Sequence, residues 1–194
     1  MTLTSAFLLV VSLFACPWVS GQGFPQGFDV FAEFGPSCLS GNVHSGASGN
    51  AKCEAGRFFM GARLRLTRHD AVEASYSWSP DIFDEAYPLV YENAAIRSYS
   101  VNYVRYLSTN RYLQPFATGG VGVEHFLGGI GPSTDSQFAW NWGAGIDIIP
   151  QRHFAVRFEF RDYAASLPVY HTGPLHNLVP SIGIVFRFNR NRKL

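Results

Sequence analysis

Between Gly27 and Phe188 the chain alternates apolar and polar residues in eight separate runs. Period two sends successive side chains to opposite faces of an extended strand, so eight strands with two unlike faces are predicted. The clearest is Phe138–Ile149, FAWNWGAGIDII. It sets Phe138, Trp140, Trp142, Ala144, Ile146 and Ile148 against Ala139, Asn141, Gly143, Gly145 and Asp147. The other seven are Gly27–Gly35, Gly56–Leu66, Ala71–Ser79, Ala95–Leu107, Tyr112–Phe126, Phe154–Asp162 and Asn177–Phe188. No helix-period segment of comparable length competes with them outside the N-terminus, and no solenoid-type repeat is present.

The connections alternate as well. Thr67–Asp70, Ser108–Arg111 and Ile149–His153 are short. Pro36–Ala55, Pro80–Ala94, Leu127–Gln137 and Tyr163–His176 are long and rich in Gly, Pro, Ser and Asp. Short and long connections therefore fall on opposite rims of an up-and-down antiparallel sheet. Short turns on one side and longer loops on the other are expected of a barrel that crosses a membrane.

A soluble barrel alternates too, so the choice of outer face needs further observations. Large aromatics gather on the apolar face near the run ends: Phe28, Phe34, Trp78, Tyr99, Phe138, Trp140, Phe186 and Phe188. Such girdles mark the two interfaces of a bilayer. Lysine occurs only at Lys52 and Lys193, which is unlike a wet surface. The polar face carries six acids, Asp29, Glu33, Glu73, Glu124, Asp147 and Glu159. It also carries six bases, Arg57, Arg63, Arg65, Arg157, Arg161 and Arg187. Buried charges must be paired, so this balance fits a narrow enclosed interior better than a solvated surface. The glycines Gly61, Gly120, Gly122, Gly143, Gly145 and Gly183 on that face are expected to make room for the arginine stems. An eight-stranded barrel is just wide enough for side chains to fill, so a plugged, hydrogen-bonded interior charge network is predicted. Asp147 is expected to pair with an interior arginine, Arg157 first among them. Run four is the irregular one. Arg97 and Arg105 share the face of Val101 and Tyr103, each near a run end where its head can reach the headgroups. A register shift or bulge would serve equally well.

Residues 1–21 read as a secretory signal peptide: an apolar run at Ala6–Phe14, too short to span a bilayer, then Pro17 and the small residues Val19-Ser20-Gly21. Residues 22–194 are then the barrel domain. A lipoprotein signal ending at Cys16 ranks below ordinary cleavage, because Phe14 fits it badly. Cleavage leaves two cysteines, Cys38 and Cys53, and an even number in an exported chain reads as one disulfide.

The export signal, the eight runs and the closing segment His176–Phe188, HNLVPSIGIVFRF, together resemble the small outer-membrane β-barrels of the OmpA/OmpX transmembrane-domain kind. The resemblance spans about Gln26 to Phe188. It implies an all-β fold: an eight-stranded antiparallel up-and-down transmembrane β-barrel in a bacterial outer membrane. It implies outer-membrane lipid as surroundings and the barrel-assembly machinery as a partner in biogenesis, reading the closing strand with its aromatic Phe188. A monomer is expected.

The net charge of +1 recommends no nucleic-acid partner. No cofactor, no metal site and no catalytic residue is expected. His125 falls on the lipid-side parity without a partner at readable spacing, and an interfacial aromatic role is the simpler reading. His171 and His176 flank Gly173-Pro174 and read as loop residues. The acidic stretch Pro80–Asn93 lacks a calcium-loop pattern. The favoured function is therefore a structural or interaction role, with four loops displayed outside, and not an enzyme. A narrow porin-like channel for small solutes or ions is the alternative, and a lipid-modifying enzyme ranks third.

Overall fold

The computed structural model describes residues 26–40, 52–82, 94–127, 135–166 and 174–189. They form eight strands: β1 (Gly27–Ser40), β2 (Lys52–Arg65), β3 (Asp70–Ile82), β4 (Ala94–Tyr106), β5 (Leu113–Leu127), β6 (Asp135–Gln151), β7 (Phe154–Ser166) and β8 (Pro174–Asn189). Each strand pairs antiparallel with its sequence neighbours, and β1 pairs with β8 to close the barrel. Closure leaves no sheet edge with unpaired backbone groups, which a bilayer would not tolerate. The strands run for 13 to 17 residues. A tilted crossing needs only about 9–11.

The strands outrun the alternating pattern at the long-loop rim. The connection expected at Pro36–Ala55 narrows to residues 41–51, because β1 continues to Ser40 and β2 starts at Lys52. Likewise β7 continues to Ser166 and β8 starts at Pro174, so His176 is a strand residue and not a loop residue. Past the runs the inner face holds Ser37, Tyr163, Ala165 and Asn177, a mix of small, polar and aromatic residues. The backbone ladder then continues without any hydrophobic alternation to betray it. Cys38 and Cys53 are register partners across β1 and β2, joined by a disulfide with Cα atoms 4.0 Å apart. The bridge thus staples two strand ends just past a bulge at Ser37/Cys38. The signal segment 1–21, His171 and most of the acidic stretch 80–93 lie outside the described residues.

At the opposite rim the turns are tight and self-bonded. Thr67 Oγ1 donates to Asp70 Oδ2 (2.6 Å) and accepts from the Asp70 backbone N–H (2.9 Å), closing the β2–β3 turn. In the β4–β5 turn, Asn110 Oδ1 accepts from the Tyr112 N–H (2.9 Å) and the Leu107 N–H donates to the Pro115 carbonyl (2.9 Å).

The two faces of the wall separate as the alternation requires. Val30, Phe34, Trp78, Val101, Tyr103, Trp140, Trp142, Phe160, Ile182, Phe186 and Phe188 are exposed on the outside. A soluble barrel would hide this face, and a contiguous apolar belt of this extent marks contact with lipid. Run four keeps its parity throughout. Ser98, Ser100, Asn102, Val104 and Tyr106 are buried inside while Arg97 and Arg105 remain outside, with no bulge between them.

Candidate functional site

The lumen is filled. All twelve ionisable residues assigned to the polar face from the alternation are buried there: Asp29, Glu33, Arg57, Arg63, Arg65, Glu73, Glu124, Asp147, Arg157, Glu159, Arg161 and Arg187. They stack in levels along the barrel axis.

Nearest the short-turn rim, Arg65 Nε donates to Asp29 Oδ2 (2.8 Å), and Arg187 Nη2 donates to Gln114 Oε1 (3.0 Å). Arg187 Nε and Asp29 Oδ1 stand 3.9 Å apart, and neither atom has a hydrogen-bond partner among the described residues. This contact is an ion pair without a hydrogen bond.

One level up, Arg157 donates twice to Asp147, from Nε to Oδ1 (2.7 Å) and from Nη2 to Oδ2 (3.2 Å). Such a two-point contact matches the guanidinium fork to the carboxylate plane. The pairing follows from register, since Asp147 and Arg157 face each other across β6 and β7. Arg63 Nε donates to Glu73 Oε2 (3.0 Å), with Arg63 and Glu73 register partners across β2 and β3. Two aromatic rings hold these guanidiniums: Arg157 lies 4.9 Å from the Phe31 ring centre and 5.1 Å from Phe116, and Arg63 lies 4.7 Å from Phe116. A cation over an aromatic face is favourable and more so away from water. The Tyr106 hydroxyl accepts from Arg63 Nη1 (2.8 Å) and Arg65 Nη2 (2.9 Å), tying this level to the one below.

Higher still, Arg161 Nη2 donates across the lumen to Glu73 Oε1 (2.9 Å) and also pairs with Glu159. Ser181 Oγ donates to Glu33 Oε2 (2.7 Å), whose other oxygen accepts from Arg157 Nη1 (3.3 Å). Toward the long-loop rim, Arg57 donates to Glu124 Oε1 (2.9 Å) and Ser77 Oγ (3.0 Å), and it also bonds Ser98. Its guanidinium lies 4.3 Å from the Tyr163 ring centre. Every level thus combines charge with an aromatic, a hydroxyl or an amide. The alternation did not single out Tyr106, Phe116 or Tyr163 as parts of the plug: Tyr106 and Tyr163 lie near or beyond an end of a run, and Phe116 is an apolar residue at inward parity between Gln114 and Thr118.

The glycines do something different from what was expected. A side chain at Gly61 would collide with the Phe31 ring at 2.5 Å, and one at Gly145 with the Phe116 ring at 2.5 Å. Phe31 and Gly61 are register partners, as are Phe116 and Gly145. These two glycines seat aromatic rings, not arginine stems, and the rings in turn cover otherwise bare backbone.

Outside the barrel, His125 has a partner that its sequence neighbourhood did not reveal. Ser136 faces it across β5 and β6, with Ser136 Oγ 2.8 Å from His125 Nδ1. His176 Nδ1 lies 2.8 Å from Asp162 Oδ2, beside Trp142 at 6.0 Å between ring centres. Among the described residues no cluster of His, Cys, Asp and Glu is arranged to hold a metal ion.

Comparison with known proteins agrees with this geometry. No curated protein matches the chain. Among solved structures, Neisserial surface protein A is similar at 13% identity and a TM-score of 0.65, with 83% of this chain and 97% of that one covered. Ail, the attachment invasion locus protein of Yersinia pestis, is similar at 17% identity and a TM-score of 0.54, covering 84% of this chain and 99% of the other. The outer membrane protein OprG of Pseudomonas aeruginosa gives 14% identity and 0.53, over 85% and 97%. At these identities the likeness establishes the fold. The family model described as "Outer membrane protein beta-barrel domain" matches residues 6–188. With closed strands, an apolar outer belt and a charged core already in view, the chain belongs to that family and resides in the bacterial outer membrane.

Proposed function

We propose that this protein is a non-enzymatic structural and interaction barrel: a plugged, monomeric cylinder that displays its four long connections outside the cell. Residues 1–21 would act as the export signal and the closing strand, ending in Phe188, as the segment read by the barrel-assembly machinery. The orientation follows from the short turns, which face the periplasm in barrels of this kind.

The observation that carries this reading is the occupied lumen. Five of the six inward arginines hydrogen-bond a carboxylate, and the sixth, Arg187, is held by Gln114. Moving an ion past these groups would mean breaking several buried charge pairs at once, each strongly destabilising when one partner is lost. A conducting path needs binding weak enough to release. The names of similar structures lean the same way, since Ail is an attachment protein and one of its structures holds a heparin analogue, sucrose octasulfate.

Reconstitution in planar bilayers tests the reading. The expected record is a flat baseline at moderate voltage. Regular ohmic single-channel steps would overturn the plugged core and favour a narrow channel.

A further inference from the structure

Two arginines on the outer face of β4 differ in one respect. Arg105, at the short-turn rim, is bound by the Asp70 carboxylate, which also accepts from the Tyr103 hydroxyl. Arg97, eight residues on toward the long-loop rim, is exposed and pairs with no carboxylate among the described residues. A guanidinium on a bilayer-facing wall is costly unless its charge is met by water or an anion. At the short-turn rim the protein supplies the anion. At the long-loop rim no described residue supplies one.

The neighbours of Arg97 are suited to receive one. His125 is its register partner on β5, and Ser136 is the register partner of His125 on β6. Arg97, His125 and Ser136 therefore form one transverse row on the outside of the barrel. Ser136 Oγ lies 2.8 Å from His125 Nδ1 and orients the ring by that nitrogen, leaving Nε2 as its other polar atom. Trp78, register partner of Arg97 on β3, closes the row at its other end. The adjacent row toward the membrane centre is apolar and aromatic: Tyr76, Tyr99, Val123 and Phe138 are successive register partners. The Tyr76 and Tyr99 rings pack at 5.1 Å, and Tyr99 meets His125 edge-on at 5.8 Å. Donors in one row above aromatics in the next is the polarity profile of the interface between headgroups and acyl chains.

We propose that Arg97, His125 and Ser136 form a binding site for the phosphate group of an outer-leaflet lipid. Arg97 supplies the fork that recognises a phosphate by two parallel bonds. His125 adds a second nitrogen group, its ring held in place by Ser136. Tyr76, Tyr99 and Phe138 pack the first methylenes of the acyl chains. The site rests on the membrane placement and not on the plugged lumen, so a conducting barrel would leave it intact.

The test is native mass spectrometry of the full folded chain released from detergent micelles, with bisphosphorylated lipid A titrated in. Heat-modifiable gel migration verifies that each variant is folded. R97A is expected to weaken lipid A retention roughly fivefold or more, and H125A by less, while R105A at the other rim binds like the parent. Removing the phosphates from the lipid should reduce parent binding to the level of R97A, and inorganic phosphate alone should not compete. Equal binding by R97A and the parent would overturn the proposal, as would equal binding of the dephosphorylated lipid. Competition by inorganic phosphate would show a free-anion site and overturn the lipid as occupant. Loss of an acyl chain on incubation, abolished by S136A, would show hydrolysis and overturn a pure binding role.

Discussion

The two sides of the lumen wall are built from opposite materials. β2 and β7 carry five of the six inward arginines, and β8 carries the sixth. β4, β5 and β6 carry none. Through their middle stretches their inner faces offer Ser98, Ser100, Asn102, Thr118, Gly120, Gly122, Asn141, Gly143 and Gly145, with the larger Ile96, Tyr106, Phe116, Glu124, Asp147 and Ile149 toward the strand ends. The long side chains cross the barrel and end on the small side: Arg57 reaches Ser98 and Glu124, Arg65 reaches Gln114, and Arg187 also reaches Gln114. An eight-stranded barrel has room for one layer of large side chains, not for two facing each other. Division of labour between the two walls lets the interior reach native density without collision.

The comparison predicts unequal responses to substitution, read as shifts in denaturant unfolding followed by Trp fluorescence in micelles. The largest should come from Glu73→Ala. Glu73 receives Arg63 on one oxygen and Arg161 on the other, and Asn102 Nδ2 also donates to it at 3.1 Å. Its loss leaves two buried guanidiniums short of charge and should cost about 3–5 kcal/mol. A change below about 1 kcal/mol would mean that the crossing charges are not what holds the two walls together.

Next is Gly143→Val, which thickens the thin wall. Its first carbon would meet the Phe160 carbonyl at 2.5 Å and Arg161 Cα at 3.1 Å, both backbone and unable to step aside. Overfilling should cost about 1–3 kcal/mol. A neutral result would show spare volume in the small half, and with it a route for solutes.

The smallest effect belongs to Arg105→Ala, outside the lumen altogether. Its ion pair with Asp70 is half exposed, with the Arg105 side chain at 52%. Exposed pairs of this kind contribute little, and added salt should erase the difference between parent and variant. A larger loss would place part of the barrel's stability at the rim and weaken the contrast between the two walls as its main source.

Much of this was readable in the residues. The two-residue period of Phe138–Ile149 assigned Asp147 to the interior, and the short Ile149–His153 connection placed Arg157 opposite it, because a tight hairpin sets register. Where the pattern stopped, so did the reading. His176 precedes the alternation that starts at Asn177 and follows Gly173-Pro174, so nothing in the sequence marks it as strand, and Ser136 and His125, eleven residues apart, meet only through the β5–β6 pairing. The inner aromatics show the same limit. Phe31 and Phe59 break the polar face of their runs, and only the positions of Gly61 and the cross-lumen arginines explain why a ring belongs there.

The sequence by itself determined the strand count, the two faces, the order of short and long connections and the equal numbers of inward acids and bases. These depend on period and composition, which are local quantities. Which acid meets which arginine beyond the nearest hairpin was decided only by closure. When β1 pairs with β8, side chains 67 to 124 residues apart, such as Arg57 with Glu124 and Arg157 with Glu33, are brought to the same height in one narrow lumen. Barrel closure and stagger set that height, and no linear spacing along the chain encodes it.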